Sequence, residues 1–207
     1  MLNRHCRRAD ALLRHLYALA LMRCGLLGSW AGPAPPQPNG RLIFVCKGNI
    51  IRSAYAAARA RQLGFASVAS AGIQACSGKP ADATAVHAAA LRGVDLARHR
   101  ARSVDELQPR AADRLFAFEL WQARWLSRNS PAPVFLLGAW ARPAKPHIAD
   151  PYQRPGEYFS ACFTTVDIAL ERMFAHEAAP QQAAPAVDPT TEMAEESTAD
   201  GDIEPYR

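Results

Sequence analysis

The stretch Cys46-Lys47-Gly48-Asn49-Ile50-Ile51-Arg52-Ser53 places a thiol and a guanidinium at opposite ends of a short loop. It follows the apolar run Leu42–Cys46 and leads into the helix-period segment Ser53–Leu63. A turn between a strand and a helix aims successive backbone N–H groups into a concavity. The helix N-terminus adds partial positive charge, and Arg adds a fixed cation with a planar fork. Together they suit a tetrahedral dianion such as phosphate. Gly48 and Asn49 are residue types that tolerate the left-handed backbone such a cradle needs. The same field stabilises a thiolate at Cys46; comparable sites lower a Cys pKa from about 8.5 into the ~3.5–7.5 range. The plainer reading is a buried strand-end Cys beside a surface Arg, because this spacing arises by chance in many proteins. The strand before it, the helix after it and the Ser directly following the Arg favour the cradle. It is not a Walker loop, which needs GxxxxGK[ST].

The elements that must position this loop follow from periodicity. Leu42–Cys46 reads as a buried parallel strand. Further strands are expected at Ala66–Ser70, Leu115–Phe118 and Val134–Leu137. Helices are expected at Asp82–Arg92, with Gly93 as its stop, at Leu120–Ser127 and at Glu157–His176. The last would bury Phe159, Phe163, Val166, Ala169, Leu170 and Met173. Gly138–Gly156, with four Pro, is a loop. Strands alternating with helices predict a doubly wound α/β fold, and a body spanning residues 41–176 is long enough for one sizeable core.

The chain has 207 residues, 49% hydrophobic, with a net charge of +5. That charge is unevenly spread. Residues 1–40 hold five Arg against one Asp, residues 41–176 hold 18 basic against 10 acidic residues, and residues 177–207 hold one Arg against eight acidic residues. A positive balance could suggest nucleic acid, but this average describes no part of the molecule, and no such partner is expected. Five scattered Cys make no disulfide framework, and no ligand spacing points to a metal. Residues 1–27 read as a basic amphipathic helix, with Arg4, Arg7, Arg8, Arg14 and His15 opposite Leu2, Leu13, Leu16, Tyr17, Ala20 and Leu27. It would lie on an anionic membrane surface or dock on protein, either its own body or a partner. A signal peptide is the weaker reading, because only eight residues separate Arg14 from Arg23 and no A-x-A site is clear. Residues 28–40, with four Pro and three Gly, read as a linker, and residues 177–207 as an acidic disordered tail.

With these elements in place, FVCKGNIIRS resembles the signature of the low-molecular-weight protein tyrosine phosphatases. Ser70-Ala71-Gly72, the stretch from Gly93 through His99 to Arg102, and Ile148-Ala149-Asp150-Pro151-Tyr152 match further motifs of that family in the same order. The resemblance spans about residues 41–175 and looks closest to the bacterial exopolysaccharide-cluster branch. It implies a four-stranded parallel sheet with helices on both faces. It also implies hydrolysis of phosphotyrosine in proteins through a phosphocysteine intermediate. By that resemblance Cys46 is the nucleophile, Arg52 binds the phosphoryl oxygens, Ser53 bonds to the sulfur and Asp150 is the acid and then the base. Lys47, Gly48, Ile50 and Ile51 complete the phosphate loop. Asn49, Ser70 and His99 hold it in shape, and Tyr152 lines the entrance. No metal or organic cofactor is implied. The branch implies a cytoplasmic enzyme acting on a tyrosine autokinase or another component of polysaccharide export, with residues 1–27 offering a contact to the inner membrane surface or a partner.

Two positions depart from the family pattern. Ile51 stands where a second Cys is usual, and Ala54 where Pro is usual. The resemblance makes that second Cys a disulfide partner of the nucleophile under oxidation. Ile51 cannot serve, so oxidation of Cys46 should run further up the ladder unless another thiol intervenes. Arsenate reduction on the same fold would need extra thiols after the third strand, and Phe118–Asn129 contains none. A phosphotyrosine-binding module with weak turnover is the alternative of a different class.

Overall fold

A computed structural model describes residues 2–32 and 39–178, with the side chains from residue 9 onward. The expected tail, apart from Glu177 and Ala178, and residues 33–38 of the expected linker lie outside the described residues. Four strands, β1 (Leu42–Cys46), β2 (Val68–Gly72), β3 (Arg114–Ala117) and β4 (Val134–Leu136), form one parallel sheet in the order β2-β1-β3-β4. The expected doubly wound fold is the observed one. The helices are α1 (Leu2–Arg23), α2 (Arg52–Gln62), α3 (Ala83–Ala90), α4 (Val104–Leu107), α5 (Leu120–Asn129) and α6 (Gly156–Ala178). Among the described residues no helix is long and apolar enough to cross a membrane.

Strand alternation sorts the core into two layers. Leu42, Phe44, Phe116 and Phe135 face α2, α3 and α6, where Tyr55 stacks on Phe163 with ring centroids 3.8 Å apart. Ile43, Val45, Leu115, Ala117, Val134 and Leu136 face α4, α5 and Leu27. Both faces are covered, which is why these strands read as continuous apolar runs. Phe44, Phe116 and Phe163 are fully buried, each contributing roughly 1.5–3 kcal/mol. At the lower end of the sheet Asp113 accepts bonds from the Arg41 guanidinium (2.7 Å) and from the Arg41 and Arg110 N–H groups (3.0 and 2.8 Å). Burial alone would raise its pKa, but these donors hold it well below the usual carboxylate range.

Several boundaries differ from expectation. β2 lies two residues downstream, because Leu42 N–H bonds to Ser67 C=O (2.8 Å) and the register pairs Cys46 with Gly72. The single-turn α4, capped by the Ser103 hydroxyl on Asp105 N–H, is too short to show a period. Helix α6 runs past His176, and the Glu177 carboxylate pairs with Arg114 at 2.6 Å, so the body extends beyond the expected boundary. Part of the expected linker is ordered: Gly28–Ala31 form a 3₁₀ turn, and Trp30 and Ala31 pack on the second core layer.

Helix α1 ends in a Schellman pattern. Leu26 N–H bonds to Leu21 C=O (2.9 Å), Gly25 N–H bonds to Met22 C=O (3.1 Å), and Gly25 takes φ +69°. Its seat corrects the sequence reading. Most of the expected apolar face is the outer one, with Leu13, Leu16 and Tyr17 all more than half exposed, whereas Leu27 is buried. Ala18 is fully buried, and Leu21 and Met22 pack on the second core layer.

Candidate active site

The loop after β1 leaves the carboxyl end of the sheet where the chain order reverses, the usual ligand crevice of such sheets. Its main chain is tied on several sides. Ile73 N–H bonds to Cys46 C=O (3.0 Å), Gln74 N–H to Lys47 C=O (2.8 Å) and Asp82 N–H to Ile50 C=O (3.0 Å). His99 Nε2 donates to Asn49 C=O (2.6 Å). Burial lowers the His99 pKa, against a smaller raising effect from that carbonyl, so the neutral Nε2–H form is the donor.

Asn49 takes the left-handed backbone, φ +54°, while Gly48 does not. The Asn49 side chain donates from Nδ2 to Ser53 Oγ (2.8 Å) and accepts Arg102 N–H at Oδ1 (2.9 Å). Two contacts converge on the nucleophile candidate: Asn49 N–H at 3.3 Å and Ser53 Oγ at 3.0 Å from Cys46 Sγ. Ser53 has one proton and two acceptors in reach, the sulfur and Ala71 C=O (3.3 Å). Gly72 explains how β2 lies so close. A Cβ there would sit 2.8 Å from Asn49 N and Lys47 O, so only glycine fits against the loop.

Arg52 opens α2 with its side chain 1% exposed. Nη1 donates to Glu119 Oε1 (2.6 Å) and Ile148 C=O (2.9 Å), and Nη2 donates to Asp150 Oδ2 (2.7 Å). Burial alone would lower its pKa. Asp150, Glu119 and the Cys46 sulfur more than offset that and raise it, so the guanidinium is a permanent, oriented cation. Glu119 is steadied by Gln122 Nε2 (3.1 Å), and its other oxygen lies 3.9 Å from His147 Nδ1. Asp150 is half-exposed, and its Oδ1 accepts Tyr152 N–H (3.2 Å). Cys46, Lys47, Arg52, Asp150 and Tyr152 all line one cavity of about 220 Å³. A thiol, a fixed cation and a carboxyl facing one small cavity can carry nucleophilic attack on phosphorus with acid–base help.

Residues 41–183 match the family described as low molecular weight phosphotyrosine protein phosphatase. The chain belongs to that family. Among its relatives, the probable low molecular weight protein-tyrosine-phosphatase EpsP of Ralstonia nicotianae is 39% identical over 117 residues, covering 55% of this chain and 79% of that protein. The low molecular weight protein-tyrosine-phosphatase Wzb of Escherichia coli is 32% identical over 130 residues, covering 61% and 87%. Both relatives are of the exopolysaccharide-cluster type. The structure of Vibrio vulnificus Wzb in complex with benzylphosphonate superposes with a TM-score of 0.61 at 28% identity, covering 67% of this chain and 99% of that one.

Within this phosphatase fold, most of the residues singled out in sequence come together. Cys46 through Ser53, His99, Asp150 and Tyr152 meet at the cavity or directly support its loop. Ser70 does not. Its hydroxyl makes no hydrogen bond among the described residues, and Ala71 C=O takes the bond to Ser53 instead. Ser70 shares the Gly72 side of the strand but lies two residues, about 6.6 Å, further from the loop. Ile51 is buried in the core beneath the loop, which accounts for an apolar residue there. Sequence reasoning missed Glu119, Gln122 and His147 around Arg52, and Gln74, Cys76 and Lys79 on the cavity wall. Glu119 and Gln74 follow the carboxyl ends of β3 and β2, and that position was the available signal. Cys76 is an exposed thiol sharing the cavity with Cys46; Cys162, on α6, is buried, and its thiol is pushed up to about 12 chiefly by desolvation.

Proposed function

We propose that this phosphatase hydrolyses phosphotyrosine in proteins through a phosphocysteine intermediate. The observation that carries the reading is the convergence of Cys46, Arg52 and Asp150 on one cavity floored by the loop. The Cys46 thiolate attacks phosphorus as the bond to the phenolic oxygen breaks, and protonated Asp150 gives its proton to that oxygen. Asp150 then takes a proton from water, the water oxygen attacks phosphorus, and the S–P bond breaks to return the thiolate. Ser53 donates to the sulfur while it leaves. Arg52 is held at Nη1 by Glu119 and Ile148, which leaves Nη2 and Nε to meet two phosphoryl oxygens. The incoming phosphoryl group competes with Asp150 for Nη2, so binding frees the carboxyl to reach the leaving oxygen.

The exopolysaccharide-cluster type of the relatives supports a cytoplasmic role on a tyrosine autokinase or another component of polysaccharide export. The exposed Leu13, Leu16 and Tyr17 side of α1 supports a peripheral contact with the inner membrane surface or a partner. Hydrolysis of an aryl phosphate by the purified protein tests the chemistry. Release no faster than from a Cys46→Ser control rejects it. Substrate trapping with Asp150→Ala from the native cell identifies the phosphoprotein.

A further inference from the structure

Helix α1 lies outside the span that matches the family, yet it lines a groove beside the catalytic cavity. Asp10, Ala11 and Arg14 line a groove of about 530 Å³ together with His147, Tyr152 and Arg154. Lys47, Asp150 and Tyr152 line both this groove and the catalytic cavity, so the two share a rim. A phosphotyrosine in the cavity must carry its polypeptide out over that rim, and the groove is large enough for a few residues.

The charges select what fits. Each carboxylate in the groove is already committed: Asp10 to Arg14 (3.0 Å), and Glu119 and Asp150 to Arg52 (2.6 and 2.7 Å). Burial lowers the His147 pKa, with Glu119 opposing and the nearby cations assisting, which disfavours a charge on its ring. Lys47 and Arg154 have no carboxylate partner among the described residues, and the Arg154 guanidinium stacks over Tyr158 at 5.4 Å. We infer that α1 and the Asp150 loop form a docking groove for the residues flanking the phosphotyrosine, with acidic side chains meeting Lys47 and Arg154. The inference rests on the function proposed above and narrows its substrate class to phosphotyrosine in an acidic stretch.

The test is equilibrium binding of non-hydrolysable phosphonate-tyrosine peptides to the full chain, each affinity divided by that of benzylphosphonate alone. Acidic flanks should bind about 3–10-fold tighter than neutral ones, as two exposed ion pairs of modest worth allow, and the preference should shrink with salt. Arg154→Glu should abolish the preference. Ala11→Trp, which fills the groove from the α1 side, should weaken both peptides relative to benzylphosphonate. Equal affinities for all peptides, or a preference that survives both substitutions, overturns the groove. A preference that emerges only when the acidic residues of 182–207 are neutralised also overturns it, because the chain's own tail would then be the occupant. Failure of benzylphosphonate itself to bind rejects the function on which the groove rests.

Discussion

The loop from Cys46 to Arg52 and the loop from Ile148 to Tyr152 face each other across one cavity, but they are secured differently. The first is held by main-chain bonds from Ile73, Gln74 and Asp82, by His99, and by the close pass of Gly72. In the second, Ile148 N–H bonds to Phe118 C=O (2.8 Å); beyond it Asp150 is held by one ion pair and one N–H, and Tyr152 stands exposed. The contrast matches two chemical duties. A cradle must present fixed dipoles before charge develops, whereas an acid must follow a leaving group and return as a base.

Substitutions on the two sides should therefore fail in different ways. Asp150→Ala should lower kcat on an aryl phosphate about 10²–10⁴-fold while phosphate still binds. Its unfolding midpoint should move less than that of Gly72→Ala; a larger shift would break the contrast. Gly72→Ala should cost about 1–3 kcal/mol of stability, because Cβ meets main chain that cannot swing aside. Thermal unfolding measures this, and an unchanged midpoint would mean the loop yields freely. Tyr152→Ala should raise KM by about 2–10-fold, the worth of one aromatic contact, with the unfolding midpoint held.

The smallest effect concerns pH. The His99 pKa is lowered from 6.5, so the folded protein favours the neutral ring. Its stabilising share is complete above 6.5 and is lost as pH falls through the lowered value. The midpoint difference between wild type and His99→Gln should thus shrink from pH 7.5 toward pH 5. His147, also lowered, titrates in both proteins and cancels in the difference. A difference that grows on acidification would mean that the imidazolium, not the neutral ring, holds Asn49.

What could be read from sequence tracks how local each feature is. Cys46, Asn49, Arg52 and Ser53 lie on one short loop, so their joint use shows in their spacing. Glu119 and Gln74 reach Arg52 and the loop only because β3 and β2 flank β1, and pairing order is not written in any one strand. Ser70 was misplaced for a related reason: its neighbours depend on a register that β1 sets. The face of α1 that seats was hidden because Leu21 and Met22 pack on the core while the more conspicuous stripe of Leu13, Leu16 and Tyr17 points outward.

Gly72 also bears on how this sequence is free to change. The contour of the loop is drawn largely by backbone against backbone, and the side chains at Lys47 and Ile50, the second packed in part on the core, also line the cavity. Mutational drift at those two positions can alter which molecules enter the cavity while the cradle keeps its shape. Glycine at 72, which presents no side chain to any substrate, is the position such drift must leave alone.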